Sequence, residues 1–348
     1  MAIPTTMKAI QIREFNTPYT VSEVKVPQHQ AHQVLIRIKA AGFCHTDLMA
    51  LKNEFETPLS FIGSHEPAGI IEKVGSDVTG FSIGERVGCI NFESVCGKCP
   101  DCKHGRPIYC DHPLMKGITT DGAWAEYMVA DARFIVQLPE KIDLAVAAPL
   151  MCAGISIYGG IKKAGIPPEG SIGIIGIGGL GHIGTQIAKA MGYKMAAVDV
   201  KQSSLDLVNS YRLKPDLCLL ATQPAEEAMQ QVSQAIPGPY PGLDATVLAT
   251  DHPAAFEFAA AITRKHGTIV LLGQPENGIT MSYQNIIYRD LKLVGSLVAN
   301  TPDAEELVEL VADYDIEVKV KRWRIDDAEH MRQEYLAGKS EGKNVIVF

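Results

Sequence analysis

The stretch Gly42-Phe43-Cys44-His45-Thr46-Asp47 concentrates several chemical options in six residues. Cys44 offers a thiolate metal ligand, Thr46 a hydroxyl that can carry a proton, and Asp47 a carboxylate that can steady a histidine. The next reactive pair is His65-Glu66, inside Gly63-Ser64-His65-Glu66-Pro67-Ala68-Gly69. A His-Glu pair on a helix can belong to a zinc protease, but that needs a second His one helical turn on. Gly69 stands there instead, and Pro67 interrupts a helix. Cys152 lies in the apolar run Pro149-Leu150-Met151-Cys152-Ala153-Gly154. Alone it reads as core packing; its weight comes from completing a set with Cys44 and His65. Two sulfurs and one nitrogen leave the fourth position of a zinc ion free, as a catalytic site requires.

Cys96, Cys99, Cys102 and Cys110 form the clearest local signal. Four thiolates this close in sequence can close a tetrahedron around Zn²⁺. A bacterial iron–sulfur cluster opens with three cysteines at the same spacing, but its fourth comes sooner and is followed by Pro. Asp111 follows Cys110 here, which favours zinc. Gly97, Lys98, Lys103 and Gly105 leave the loop free to wrap. With every position filled by sulfur, such a metal has a structural role. Cys89 and Cys218 read as buried small apolar residues.

A second kind of site is announced by Gly176-Ile177-Gly178-Gly179-Leu180-Gly181, which follows an apolar, strand-like run and opens an amphipathic helix. In that setting glycines let backbone N–H groups approach a pyrophosphate at the helix N-terminus. Asp199 ends the next strand, where an acid bonds the adenosine ribose hydroxyls and repels a 2′-phosphate. NAD is therefore expected over NADP, with Lys201 nearby weakening the preference.

The elements that must position these residues fall into two patterns. Residues 1 to about 152 read as β-rich, with strands expected at Met7–Ile12, Val34–Lys39 and Ala132–Leu138, and with turns at the intervening glycines. Residues 153–295 alternate strands with helices. Six strands are expected, at Ile172–Ile177, Met195–Val200, Asp216–Leu220, Asp244–Ala249, Thr268–Leu272 and Leu291–Gly295. That count argues for a doubly wound parallel sheet. In residues 296–348 a helix is expected from Thr301 to Val311, a strand at Ile316–Val320, a helix from Asp326 to Leu336 and a strand at Asn344–Val347. Because the nucleotide fold already has six strands, this tail is expected to return to the first domain.

The chain of 348 residues exceeds the usual size of a single core, so two domains agree with length. A net charge of -8 argues against nucleic acid or an anionic membrane as partner. No segment reads as long and apolar enough to span a bilayer, and the opening residues lack the regions of a signal peptide. A reducing, cytoplasmic setting is expected. The eight cysteines suit it as metal ligands better than as disulfides.

Placed together, these pieces resemble a zinc-dependent medium-chain alcohol dehydrogenase over essentially the whole length, and within it the tetrameric, yeast-type branch. The resemblance implies a GroES-like catalytic domain, a Rossmann domain binding NAD(H), and two zinc ions per chain. Cys44, His65 and Cys152 would hold the catalytic zinc, and Cys96, Cys99, Cys102 and Cys110 the structural one. It also implies that Glu66 sits behind the metal, Asp47 bonds His65, Thr46 touches the alcohol oxygen and His45 lies near the cofactor phosphates. Phe92 matches a pocket-wall aromatic, and ordinary core packing is its bland alternative. The implied reaction is alcohol + NAD = aldehyde or ketone + NADH, run as aldehyde reduction where cofactor ratios favour it. A homotetramer or homodimer is implied as the assembly.

Three departures from the family matter. Ser64 stands where a second glycine usually precedes the ligand His; little effect is expected. Lys343 stands where Arg often meets the cofactor pyrophosphate, which keeps the charge but loses the bidentate contact. Met49 replaces the histidine that ends the proton relay, and Met cannot accept a proton. The proton is then expected to leave through solvent or another base, and Met49 to widen or grease the substrate pocket. A polyol dehydrogenase usually has a carboxylate in place of Cys152, and a cinnamyl-type enzyme normally prefers NADP, which Asp199 opposes. A non-catalytic dinucleotide-binding relative would commonly have lost the zinc ligands, and all three are here.

Overall fold

The structure is a computed structural model and describes residues 3–348. Two compact units divide the chain. One runs to Ala153 and also takes Asn300–Ala312 and Lys319–Phe348; the other comprises Gly154–Ala299 and Asp313–Val318. Against the expected tail of 296–348, residues up to Ala299 and the short stretch Asp313–Val318 therefore belong with the second unit. Gln186 explains the latter: its Nε2 donates to Glu317 O at 2.7 Å and its Oε1 accepts from Glu317 N at 3.0 Å.

The first unit is built on the long strand Gln33–Phe43, buried along most of its length. Pro67–Val74 and Tyr127–Asp131 both pair with it antiparallel. The C-terminal strand Lys343–Val347 pairs antiparallel beside its end, with Val345 opposite Gly42 and Asn344 opposite Phe43. This register brings the last residues of the chain against the segment leading into Cys44. Trp124 packs at the same place, fully buried, with its ring parallel to Phe43 at 5.9 Å between centroids. Burial of large apolar and aromatic side chains of this kind is the main stabilising term of such a core.

Two expected strands differ. Ala132–Leu138 opens as a 3₁₀ turn over Ala132–Phe134, because Asp131 Oδ1 accepts from Arg133 N at 2.9 Å; the strand proper is Ile135–Gln137. The strand expected at Ile316–Val320 is instead Val320–Arg324. Buried Ile316 and Val318 imitate strand alternation, but the backbone between them bonds Gln186 rather than a neighbouring strand.

The second unit holds a six-stranded, wholly parallel sheet. In spatial order the strands are Leu217–Leu220, Lys194–Asp199, Ser171–Ile175, Leu243–Leu248, Thr263–Leu271 and Lys292–Gly295. The order of connection reverses at Ser171–Ile175, where such sheets bind their ligand.

Leu144–Lys163 forms one helical run of 20 residues that is apolar and long enough to cross a membrane by length and composition. This corrects the reading that no such segment exists. It is 78% buried within the protein, so its apolarity belongs to the core.

Candidate active site

Cys44, His65 and Cys152 come from three separate segments. Cys44 follows the long strand Gln33–Phe43 and caps the helix His45–Leu51, in extended backbone conformation. His65 lies in the turn before the strand Pro67–Val74. Cys152 sits in a π-helical turn, Leu150–Gly154, which follows Pro149 and interrupts the helical run. Such wide turns aim side chains that a regular helix would direct elsewhere. Met151 anchors the turn: a Cβ on Gly88 would lie 2.3 Å from its sulfur, so only glycine admits it.

The three donors converge. Cys44 Sγ lies 4.0 Å from Cys152 Sγ, and His65 Nε2 lies 3.2 Å from Cys152 Sγ. Ligands of a tetrahedral zinc stand roughly 3.4–3.8 Å apart, from bonds of about 2.0–2.3 Å, so the residues fit that ion. The Glu66 carboxylate joins the cluster, all four donor atoms lying within 4.8 Å of one another.

Surrounding groups tune the cluster. The contact with Cys152, together with Lys343 and His65, holds the Cys44 thiol well below its ordinary pKa despite burial. Cys152 moves the other way, pushed up by its pairing with Cys44 and by burial. A dication among these sulfurs would favour both thiolates. Burial opposes a charged His65, yet the Asp47 carboxylate and the Cys44 sulfur together outweigh it and lift the imidazole pKa. Asp47 Oδ1 is 3.4 Å from His65 Nδ1, close enough for charge but not aligned as a hydrogen bond. The same carboxylate accepts from Cys44 N at 2.8 Å and from Ser64 N at 3.1 Å. One acid thus ties together the two segments that carry Cys44 and His65.

Sequence reasoning missed the partner of Glu66. Lys343 Nζ donates to Glu66 Oε1 at 2.7 Å, with both side chains buried. Burial outweighs the opposing pull of Lys343 and leaves Glu66 raised to about 7. Lys343 itself is lifted by Glu66 against its own burial. Lys343 was expected at the cofactor pyrophosphate; here its ammonium is engaged by Glu66. Glu66 Oε2 has no hydrogen-bond partner among the described residues. It occupies space that only a glycine leaves, since a Cβ on Gly42 would lie 1.8 Å from it.

The remaining expected residues fall as follows. Thr46 Oγ1 lies 3.8 Å from Cys44 Sγ, His45 is exposed and Met49 is half-buried on the same helix. Phe92 is buried against Phe134, with ring centroids 5.5 Å apart, so packing accounts for it.

The four-cysteine lobe is organised around its sulfurs. Cys96 Sγ and Cys102 Sγ are 4.0 Å apart, and Cys96, Cys99, Cys102 and Cys110 cluster within 4.8 Å. Backbone amides donate to them: Cys96 N to Cys110 Sγ, Cys99 N to Cys96 Sγ and Cys102 N to Cys99 Sγ, at 3.2–3.5 Å. The Lys98 and Cys99 amides bring Cys96 down to about 6. Such a set of thiolates suits a structural zinc.

In the second unit the glycines of the 176–181 turn divide the work. Gly176 has φ +93°, Gly178 has open space where a Cβ would stand, and a Cβ on Gly181 would lie 2.1 Å from Gly176 O. These match a tight turn, an open approach for a ligand, and close packing of helix on strand. Leu180 caps the helix Gly181–Ala190. Asp199 Oδ2 accepts from Ile177 N at 2.6 Å and Oδ1 from Lys201 N at 2.8 Å, which fixes the acid beside the turn.

Comparison with known proteins agrees with this geometry. Residues 30–140 match the alcohol dehydrogenase GroES-like domain, and residues 179–313 match the zinc-binding dehydrogenase family. An alcohol dehydrogenase of Geobacillus stearothermophilus is 34% identical over 98% of this chain and 99% of its own. One from Schizosaccharomyces pombe is 34% identical over 90% of this chain and 89% of its own. Among solved structures, the alcohol dehydrogenase of the archaeon Aeropyrum pernix superposes with a TM-score of 0.87 at 28% identity, covering 98% of this chain and all of that one. Acetophenone reductase from Geotrichum candidum, solved with NAD, shares the fold at a TM-score of 0.85 and 23% identity, covering 100% of this chain and 99% of its own. The chain belongs to the zinc-dependent medium-chain alcohol dehydrogenase family, and its relatives make it an enzyme of alcohol oxidoreduction.

Proposed function

We propose that this protein interconverts an alcohol and NAD with an aldehyde or ketone and NADH at a zinc ion held by Cys44, His65 and Cys152, with aldehyde reduction as a direction it can serve in the cell. The observation that carries the reading is the meeting of these three donors, distant in sequence, in one cluster. When bound, zinc supplies a Lewis acid for the alcohol oxygen and NAD supplies the hydride acceptor. A second zinc belongs with Cys96, Cys99, Cys102 and Cys110, where it holds the lobe.

The chain's own residues do the rest. Asp47 fixes His65 and the amides on either side of the site. Thr46, beside Cys44, would relay the hydroxyl proton of the alcohol, accepting it as it hands on its own. With Met49 next along the helix, that proton passes to solvent or another base. Substitution of His45 by Gln distinguishes these: loss of a histidine-like ionisation from the pH–rate profile would assign the proton to His45. Gly176 makes the tight turn while its own N–H donates to Val198 O at 2.8 Å; the amides of Gly178, Gly179, Leu180 and Gly181 form the phosphate cradle, and Asp199 takes the ribose hydroxyls. His45 and Lys343 are the candidate phosphate cations, and Lys343 must share its charge with Glu66.

Association into a homodimer or homotetramer is part of the same proposal. The edge strand Lys292–Gly295 exposes Leu293, and Tyr283, Ile287, Tyr288 and Leu297 are exposed in the same part of the chain. An apolar sheet edge is what a second copy would cover.

The test is a panel of aliphatic, allylic and aromatic alcohols and aldehydes, each with NAD(H) and NADP(H), on zinc-replete protein. Alcohol-dependent NADH formation, with NADP much poorer, is expected. No turnover of either cofactor with any alcohol or aldehyde would sink the reading.

A further inference from the structure

Ser64 occupies a position that side chains avoid. Its φ is +70°, in the left-handed region, and it is fully buried. An L residue there is disfavoured unless its surroundings over-determine it. They do. Ser64 N donates to Asp47 Oδ1 at 3.1 Å, and Ser64 O accepts from Ala123 N at 2.8 Å. Gly117 and Gly122 close over that carbonyl so tightly that a Cβ on either would lie 2.2 or 2.0 Å from it.

The hydroxyl uses this conformation. Ser64 Oγ donates to Gly42 O at 2.8 Å and accepts, more weakly, from Glu66 N at 3.4 Å. Gly42 lies two residues before Cys44, and its N–H in turn donates to Glu66 O at 2.9 Å. Gly42 O also accepts from Trp124 Nε1 at 3.2 Å. A hydrogen-bonded ring thus runs from the end of the strand that delivers Cys44, through the hydroxyl, to the turn that delivers His65 and Glu66. A glycine at position 64 could adopt the backbone but not make this link.

We propose that Ser64 is a positioning residue for the metal site. Its hydroxyl fixes the spacing of Cys44 from His65, and the direction of Glu66, so that the chain holds its ion more tightly than a glycine would allow. This rests on the assignment of Cys44, His65 and Cys152 as zinc ligands. The exchange expected from sequence to matter little is thereby given a function.

The experiment follows zinc release from the full-length protein to a chromogenic chelator, in the wild type, Ser64→Gly, Ser64→Ala and Cys152→Ser. The release phase missing from Cys152→Ser identifies the catalytic ion. In Ser64→Gly, whose backbone suits φ +70° and which therefore folds, that phase is expected to be ~10-fold or more faster, in line with lost support of metal ligands. The phase from the four-cysteine lobe is expected to stay unchanged. Ser64→Ala, which keeps the Cβ without the oxygen, is expected to release as fast as Ser64→Gly while melting at a lower temperature. In the cobalt-substituted protein both variants are expected to shift the visible bands of the Cys152-dependent site. Two zinc ions in the wild type, with both variants releasing at the wild-type rate, would overturn this proposal alone. A wild type holding only the lobe ion would overturn the ligand assignment, and the proposal with it.

Discussion

Lys343 and Glu66 stand 277 positions apart, yet their charged groups are 2.7 Å from one another and 4% and 0% exposed. Removing Lys343 leaves the buried Glu66 carboxyl without its counterion; it takes up a proton, so the cost lies at or below the ~3–5 kcal/mol of a stranded charge. Lys343→Ala is therefore expected to unfold at correspondingly lower denaturant concentration. Lys343→Met combined with Glu66→Gln is expected to recover most of the loss, because no lone charge remains. A double variant no more stable than Lys343→Ala would contradict the pairing. The proposed zinc ligands were legible in the sequence because few side chains bind zinc, and Cys44, His65 and Cys152 complete each other's set. Lys343 was legible only as a cation near the cofactor. Nothing in spacing or periodicity links position 343 to position 66; the antiparallel register of the last strand does. Ser64 likewise read as a neutral replacement, because its meaning lies in a backbone angle.

Among the elements, the start of the nucleotide-type sheet depends on one acid. Asp244 Oδ2 accepts from Ser171 N and Oγ at 2.7 and 2.8 Å, and its Oδ1 accepts from Arg264 Nε at 2.6 Å. It thereby joins three neighbouring strands. Burial alone would raise its pKa, but the Ser171 and Arg264 bonds overcome this and hold it below the ordinary aspartate value. A depressed native pKa means stability present above the unfolded value and lost as pH falls through the native one. Asp244→Asn is thus expected to cost roughly 1.5–3 kcal/mol at pH 7, with wild type and variant converging in stability as pH falls below the carboxylate range. A difference that persists or grows in acid would show that the charge is not responsible. At this scale the six parallel strands were readable from apolar runs alternating with amphipathic helices. The strand misplaced at Ile316–Val320 shows the limit: alternating burial at Ile316 and Val318 arises from a segment bonded to one glutamine side chain, and a pattern of hydrophobicity cannot tell the two apart.

For the whole molecule, the two expectations that depend on more than one site are assembly and turnover. The exposed edge strand predicts that the protein elutes and scatters light as two or more chains, and that Leu293→Lys shifts it toward monomer without unfolding it. A wild type that is monomeric at micromolar concentration would contradict the proposed assembly. The proposed turnover depends on the meeting of Cys44, His65 and Cys152 in one cluster. The measurement that tests this most directly pairs zinc content with alcohol-dependent NADH formation in the wild type and in Cys152→Ser. Two zinc ions per chain and turnover in the wild type, against one zinc ion and a loss of at least about 100-fold in kcat/KM in the variant, are the predicted results. A Cys152→Ser protein that keeps both zinc ions and wild-type turnover would contradict the account.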